Sequence, residues 1–238
     1  MQIQAASFCR RGQKQTNDDS VLPLLQANGA WWAAVADGMG GHPGGALASS
    51  HVIDVIRAEI ESSRQADIAN LFARAQQSLS ALARERPEFA TMGTTLSLLR
   101  LTPRGGEIGH VGDSRIYQLR SENWVARTVD QTEVEQLVQR GVLTRAEARY
   151  YPRRNILLSV LSASTDYRLQ RETFDIRARD RFVLLTDGVT ENLLPEEIRD
   201  LSLGAKDVQA LCDAIQAEVE NRSPHDDYTA LCLEILEL

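Results

Sequence analysis

The chain has 238 residues, 43% hydrophobic and 25% charged, with 33 acidic against 26 basic side chains and a formal net charge of −7. That is enough apolar material for a sizeable core, and the acidic balance argues against nucleic acid or an anionic membrane as the main partner. Three scattered cysteines, Cys9, Cys212 and Cys232, lack CxxC spacing and read as reduced thiols rather than a disulfide framework or a zinc site.

In chain order, Met1 to Arg11 has no cationic start followed by a long apolar core, so it does not read as a signal peptide. No apolar run approaches the ~20 residues of a membrane span, and a soluble, cytoplasmic protein is expected. Ile3 to Phe8 predicts a first strand, followed by a polar loop with basic residues before acidic ones. Ser20 to Leu25 predicts a second strand, and Asn28-Gly29 a hairpin turn into a third that starts at Trp31. This apolar run ends abruptly in Asp37 and a glycine-rich turn, Gly38-Met39-Gly40-Gly41-His42. From Gly44 to Ser62, Leu47, Val52, Val55, Ile56 and Ile60 recur at helical spacing. A second helix is predicted from Ile68 to Arg84, stopping before Pro87.

The pattern then changes to short strands. Thr94 to Leu101, Glu107 to Val111, Arg115 to Leu119 and Trp124 to Thr128 are separated by turn residues and read as one antiparallel meander. A helix follows from Gln131 to Arg140, and Thr144 with Glu147 three residues on has capping-box spacing. Arg145, Arg149, Arg153 and Arg154 form a basic stretch, which reads either as a solvated face or as a patch that meets an anionic substrate. Asn155 to Leu161 is apolar without an assignable element. Strands are predicted at Leu169 to Ile176, Arg181 to Thr186 and Tyr228 to Leu236, with an amphipathic helix from Ala205 to Asn221. One domain, with sheet layered between helices, is the expected plan.

Four acidic clusters sit where predicted strands meet loops: Asp18-Asp19, Asp37, Asp187 and Asp226-Asp227. An aspartate beside glycine is ordinarily a turn residue. Carboxylates that converge, however, repel strongly unless protons or a cation intervene. Oxygen ligands without paired His or Cys favour Mg²⁺ or Mn²⁺ over Zn²⁺. Two such cations, about 3.5–4 Å apart, share a bridging carboxylate and an acidified water, an arrangement suited to phosphate ester hydrolysis.

Six blocks occur in a fixed order: Lys14-Gln15-Thr16-Asn17-Asp18-Asp19, Val35-Ala36-Asp37-Gly38-Met39-Gly40-Gly41-His42, Met92-Gly93-Thr94-Thr95, Val111-Gly112-Asp113-Ser114-Arg115, Thr186-Asp187-Gly188 and Asp226-Asp227-Tyr228-Thr229. In this the chain resembles the metal-dependent Ser/Thr protein phosphatases of the type 2C (PPM) family, in their small bacterial form. The resemblance implies an α+β, four-layer αββα sandwich: two central antiparallel sheets flanked by helices. It implies one phosphatase catalytic domain over residues 1–238, with a flap at about 131–161.

By the same resemblance, Asp37 bridges two Mn²⁺ or Mg²⁺ ions and the Gly38 carbonyl binds one of them. Asp187 and Asp226 complete the first ion's ligands, and Asp18 and Asp19 serve the second. Asp130 is the expected ligand of a third ion, shared with Asp187, and Glu191 stands where some members place another acid. Gly93, Thr94, Thr95 and the Asp113-Ser114-Arg115 turn are expected to support the site. Lys14 and Asp37 are the catalytic candidates. Lys14, Arg149, Arg153 and Arg154 are the candidates for binding substrate.

Three positions depart from the pattern. Lys14 replaces the Arg that grips phosphate with a planar fork, and offers a compact point charge instead. Met39 stands where eukaryotic members carry a His; His42 nearby is either its substitute or a turn residue. Asp227 replaces the usual Asn, and either alters metal affinity or accepts a local hydrogen bond. His51 and His110 are expected to be structural, and His225 to lie behind the ligands. The expected activity is hydrolysis of phosphoserine and phosphothreonine on proteins, by a monomer that opposes a bacterial Ser/Thr kinase. A catalytically weak phosphoprotein-binding module is the rival, and a phosphatase of small metabolites a third reading.

Overall fold

The computed structural model of the chain describes residues 1–39, 44–63 and 65–238. The strands and helices, in order, are β1 (Gln2–Arg10), β2 (Asp19–Ala27), β3 (Ala30–Asp37), α1 (Gly45–Ser62), α2 (Ile68–Glu85), β4 (Gly93–Thr94), β5 (Leu96–Thr102), β6 (Gly105–Val111), β7 (Arg115–Arg120) and β8 (Asn123–Ala126). Then come α3 (Glu133–Gln139), α4 (Arg145–Ala148), β9 (Leu161–Ser162), β10 (Gln170–Phe174), β11 (Arg181–Leu185), α5 (Asp187–Thr190), α6 (Pro195–Gly204), α7 (Val208–Asn221) and β12 (Tyr228–Glu237).

Two antiparallel five-stranded sheets are stacked. The first has the order β10-β6-β5-β3-β2, the second β1-β12-β11-β7-β8. Period-two alternation builds the layers. In β3, Trp32, Ala34 and Ala36 face α1 and α2, where they pack with Val52, Ile56 and Phe72. Ala33 and Val35 face the other way, into a core between the sheets with Leu99, Phe182, Leu184, Leu231 and Leu233. The outer face of the second sheet, through Val183, Leu185, Ala230 and Cys232, packs on Ile198 of α6 and Leu211, Ile215 and Val219 of α7. This is the expected four-layer αββα sandwich.

Local chemistry sets the element ends. The β2–β3 turn places Asn28 (φ 53°) and Gly29 (φ 73°) in the left-handed region, as a tight hairpin turn requires. Asp67 caps α2 by accepting from the Ala69 and Asn70 amides at 2.9 and 3.2 Å. Asp207 caps α7 through the Ala210 amide at 2.8 Å. The Thr144–Glu147 capping box opens α4 as expected.

Two expectations need correction. The four strands from β5 to β8 are not one meander: β5 and β6 pair in the first sheet, β7 and β8 in the second. Gly112 (φ 111°) makes the crossing between them, a backbone conformation open to glycine. The sequence pattern also predicts no element where α5 and α6 stand. Both are short, and Ile198 is the one residue of α6 buried, so a hydrophobic period is hard to see. The signals present are Pro195 at the first helical position and Glu196-Glu197 in the first turn.

Candidate active site

The carboxylates gather where strand ends from both sheets meet. Asp19 opens β2 and lies opposite Asp37, which closes β3. Asp187 follows the end of β11, and Asp226-Asp227 precede β12. Thr186 joins the sheets: its hydroxyl donates to Asp19 Oδ2 at 2.7 Å and accepts from the Thr229 amide at 3.0 Å. The Thr94-Thr95 pair fixes the backbone of Asp37. The Asp37 amide donates to Thr95 Oγ1, and its carbonyl accepts from Thr94 Oγ1 and the Thr95 amide, all at 2.9 Å.

Close backbone approach is built in by glycine. A Cβ on Gly38 would run into the Gly45 carbonyl, and one on Gly188 into the Asp227 carbonyl. The Gly38 amide meanwhile donates to the Asp18 carbonyl at 2.9 Å.

This crowding shifts the acids. Burial, reinforced by the charges of Asp187, Asp19 and Asp113, holds the Asp37 carboxyl well above its usual range, and it shares a hydrogen bond with Asp187. Burial pushes Asp19 up to about 8. Burial, with Asp226 and Glu191 adding repulsion, takes Asp187 to about 6. Asp18 is raised as well, mainly by burial.

Oδ1 of Asp19 and Oδ1 of Asp187 are buried without a hydrogen-bond partner, a costly state for a carboxylate. Orphaned carboxylate oxygens among acids that repel one another fit a hard divalent cation. Among the described residues, no group of three or more His, Cys, Asp or Glu side chains is already spaced around one ion. Asp226 is instead engaged by the Lys14 ammonium, which also lies 3.6 Å from Asp227 Oδ2 and 3.8 Å from Asp18 Oδ2. Burial disfavours the Lys14 charge, but contact with Asp226 outweighs it and raises the amine's pKa.

Asp130 and Asp113 are held in different ways. Both oxygens of Asp130 are taken by Arg115, with Nε–Oδ1 at 2.9 Å and Nη2–Oδ2 at 2.6 Å. Asp113, expected only to support the site, feels the cluster's charge: burial and then the charge of Asp187 hold its carboxyl well above the usual range. The available signal is the GDSR block itself, which carries an acid immediately after a glycine that allows the chain to cross between sheets.

Asp227 does the second of the two things open to it. Its Oδ1 accepts from the Gly12 amide at 2.9 Å and its Oδ2 from the Asp18 amide at 2.8 Å. Of the basic stretch, Arg145 pairs with Glu135 and Arg153 with Glu133, while Arg154 reaches Glu191 at 3.5 Å. Arg149 is exposed and makes no ion pair among the described residues. His42 lies outside the described residues. His110 is buried, bonded through Nδ1 to Ser97 Oγ at 2.8 Å, and desolvation lowers it to about 4, so it is a neutral core group. His51 bonds Ser78 across α1 and α2 at 2.6 Å. The His225 carbonyl accepts from the Gln13 amide at 3.0 Å.

The family profile of protein phosphatase 2C matches residues 9–223. The chain belongs to the protein phosphatase 2C family. Within it, protein phosphatase PhpP of Streptococcus pneumoniae is 30% identical over 198 residues, 80% of this chain and 80% of PhpP. The crystal structure of the Mycobacterium tuberculosis serine/threonine phosphatase PstP/Ppp matches with a TM-score of 0.88 at 28% identity, covering 99% of each chain. The PstP catalytic domain solved in complex with 2 manganese ions matches with a TM-score of 0.85 at 27% identity, again over 99% of each chain. The family is metal-dependent, and none of these relatives favours the binding-module reading. No helix among the described residues is long and apolar enough to cross a membrane.

Proposed function

We propose that this protein phosphatase 2C member hydrolyses phosphoserine and phosphothreonine on proteins with the help of bound Mn²⁺ or Mg²⁺. The observation that carries the reading is the cluster of Asp19, Asp37, Asp113 and Asp187, raised together by burial and mutual repulsion, with two orphaned oxygens. Asp37 would bridge two ions. Gly38, through its carbonyl, Asp187 and Asp226 would complete one, and Asp18 and Asp19 the other. Asp113 with Asp187 would serve a third, since Asp130 is committed to Arg115. Bound divalent ions supply charge neutralisation and an acidified water.

The chain's own residues do the positioning. Thr94 and Thr95 hold the Asp37 backbone, and Thr186 orients Asp19. Lys14 offers a point charge to the substrate phosphate, less rigidly than an arginine fork. Arg149, Arg153 and Arg154 on the 131–161 flap meet the flanking peptide. We further propose one catalytic domain over residues 1–238, a monomer, a cytoplasmic location and a Ser/Thr kinase as its opposing partner.

The test is release of phosphate from p-nitrophenyl phosphate and from a phosphothreonine peptide, with Mn²⁺ and with EDTA. Metal-stimulated turnover that EDTA abolishes is expected, and Asp187→Asn should lower kcat about a hundredfold or more. No metal-stimulated release from pure protein would overturn the reading. Hydrolysis of small phosphometabolites in preference to the peptide would move the substrate class.

A further inference from the structure

Lys14 is an unusual cation for this chain. Of 26 basic residues only two are lysines, Lys14 and Lys206, and one of them stands among the site's carboxylates. Its ammonium contacts Asp226 and lies within 4 Å of Asp227 and Asp18. A compact ammonium can sit close to several carboxylates at once, whereas a planar guanidinium favours a two-pronged grip on one of them.

The backbone fixes this placement from both ends of the loop. The Gly12 amide and the Asp18 amide bond the two oxygens of Asp227, and the Gln13 amide bonds the His225 carbonyl. Within the loop, Arg11 Nη1 donates to the Gln15 carbonyl at 2.9 Å. Lys14 is therefore carried by a segment anchored to the same stretch of chain that presents Asp226. Its side chain is 28% exposed, so the ammonium on its flexible four-carbon stem is not sealed from solvent.

We infer that Lys14 is the built-in counter-cation of the cluster: it holds Asp226 until a divalent ion takes that carboxylate, so ammonium and metal compete for the same oxygens. The inference rests on the reading of Asp226 as a metal ligand. It gives Lys14 two positions, inward on the acids without metal and outward with metal bound. The outward position is the one in which its charge is free to meet a phosphate. It also sets the metal affinity, because a positive charge beside a ligand opposes the arrival of another.

The chain's two lysines make a direct test. Wild-type protein is acetylated with N-hydroxysuccinimidyl acetate in phosphate-free buffer, with and without saturating Mn²⁺, and labelling is measured peptide by peptide by mass spectrometry. Lys14 should label several-fold faster with Mn²⁺, while Lys206, whose side chain is 85% exposed, serves as the internal reference and stays constant. In parallel, Mn²⁺ binding is followed by the paramagnetic resonance of the free ion. Lys14→Met should bind Mn²⁺ about tenfold or more tightly than wild type, and Lys14→Arg, which keeps the charge, should stay closer to wild type.

If the wild type binds Mn²⁺ and Lys14 labelling does not change, the inference is wrong and the metal reading stands. Mn²⁺ binding by Lys14→Met that is no tighter than wild type would overturn the inference in the same way. If the wild type binds no Mn²⁺ at all, the metal reading falls and the inference falls with it.

Discussion

Asp227 and Asp130 show how a carboxylate at the edge of a site is diverted to structure. Asp227 is 1% exposed and accepts two backbone amides from the loop that carries Lys14. Asp227→Ala leaves both amides unpaired and should cost about 2 kcal/mol or more of stability, read by chemical denaturation. Asp130 holds the Arg115 guanidinium in a two-pronged contact. Asp130→Ala should destabilise the fold by about 2–3 kcal/mol, short of the figure for a fully buried pair because the Arg115 side chain is 31% exposed. Mn²⁺ affinity should stay near the wild-type value. A marked loss of metal binding with stability intact would return Asp130 to the ligand set.

At the scale of elements, the 131–161 segment is tied to the sandwich at each end and open in the middle. The Gln131 amide bonds the Gly112 carbonyl, and the Leu158 amide bonds the Gln131 carbonyl. β9, at its far end, pairs with β4, next to the threonines that hold Asp37. Between these anchors, α3 is capped by Thr132, and its glutamates are taken up by Arg145 and Arg153. That leaves Arg149 as the exposed arginine of the stretch with no partner among the described residues, and Arg154 reaching back to Glu191 near Asp187. Arg149→Ala should raise KM for a phosphopeptide several-fold while leaving p-nitrophenyl phosphate turnover unchanged. Equal effects on both substrates would remove Arg149 from peptide recognition.

For the whole molecule, folding without metal presses acids together against their repulsion. Asp19, at about 8, and Asp187, at about 6, bind protons more tightly than an unfolded aspartate near 3.9. The folded state therefore carries extra protons between those values. Its stability is fullest below about pH 4 on this account and is lost as pH rises through 6 and 8. His110 acts in the opposite sense: held at about 4 against an ordinary value near 6.5, it costs stability as pH falls from 6.5 towards 4. Above about pH 6.5 the His110 contribution fades as the unfolded-state imidazole also loses its proton, and the carboxylates dominate. Metal-free protein should lose Tm between about pH 6.5 and 8, and the gain in Tm on adding Mn²⁺ should grow across the same window. A metal-free Tm that is flat or rising there would count against the clustered acids.

The one-dimensional pattern settled a good deal. Continuous apolar runs in β3, β11 and β12 marked strands buried on both faces, helical spacing marked α1, α2 and α7, and Asn28-Gly29 marked the hairpin, because each signal is carried by neighbours along the chain. The aspartates at strand ends were visible for the same reason. Tertiary structure alone decided that β6 and β7 belong to different sheets, since a turn reads alike whether the next strand pairs beside the last or crosses over. It alone gave Asp130 to Arg115 and brought Asp113 within reach of the Asp187 charge. It also set the Lys14 ammonium against Asp226, a contact made by residues more than two hundred positions apart. Charge and hydrogen bonding act through space, and their partners are fixed only once the two sheets have been brought face to face.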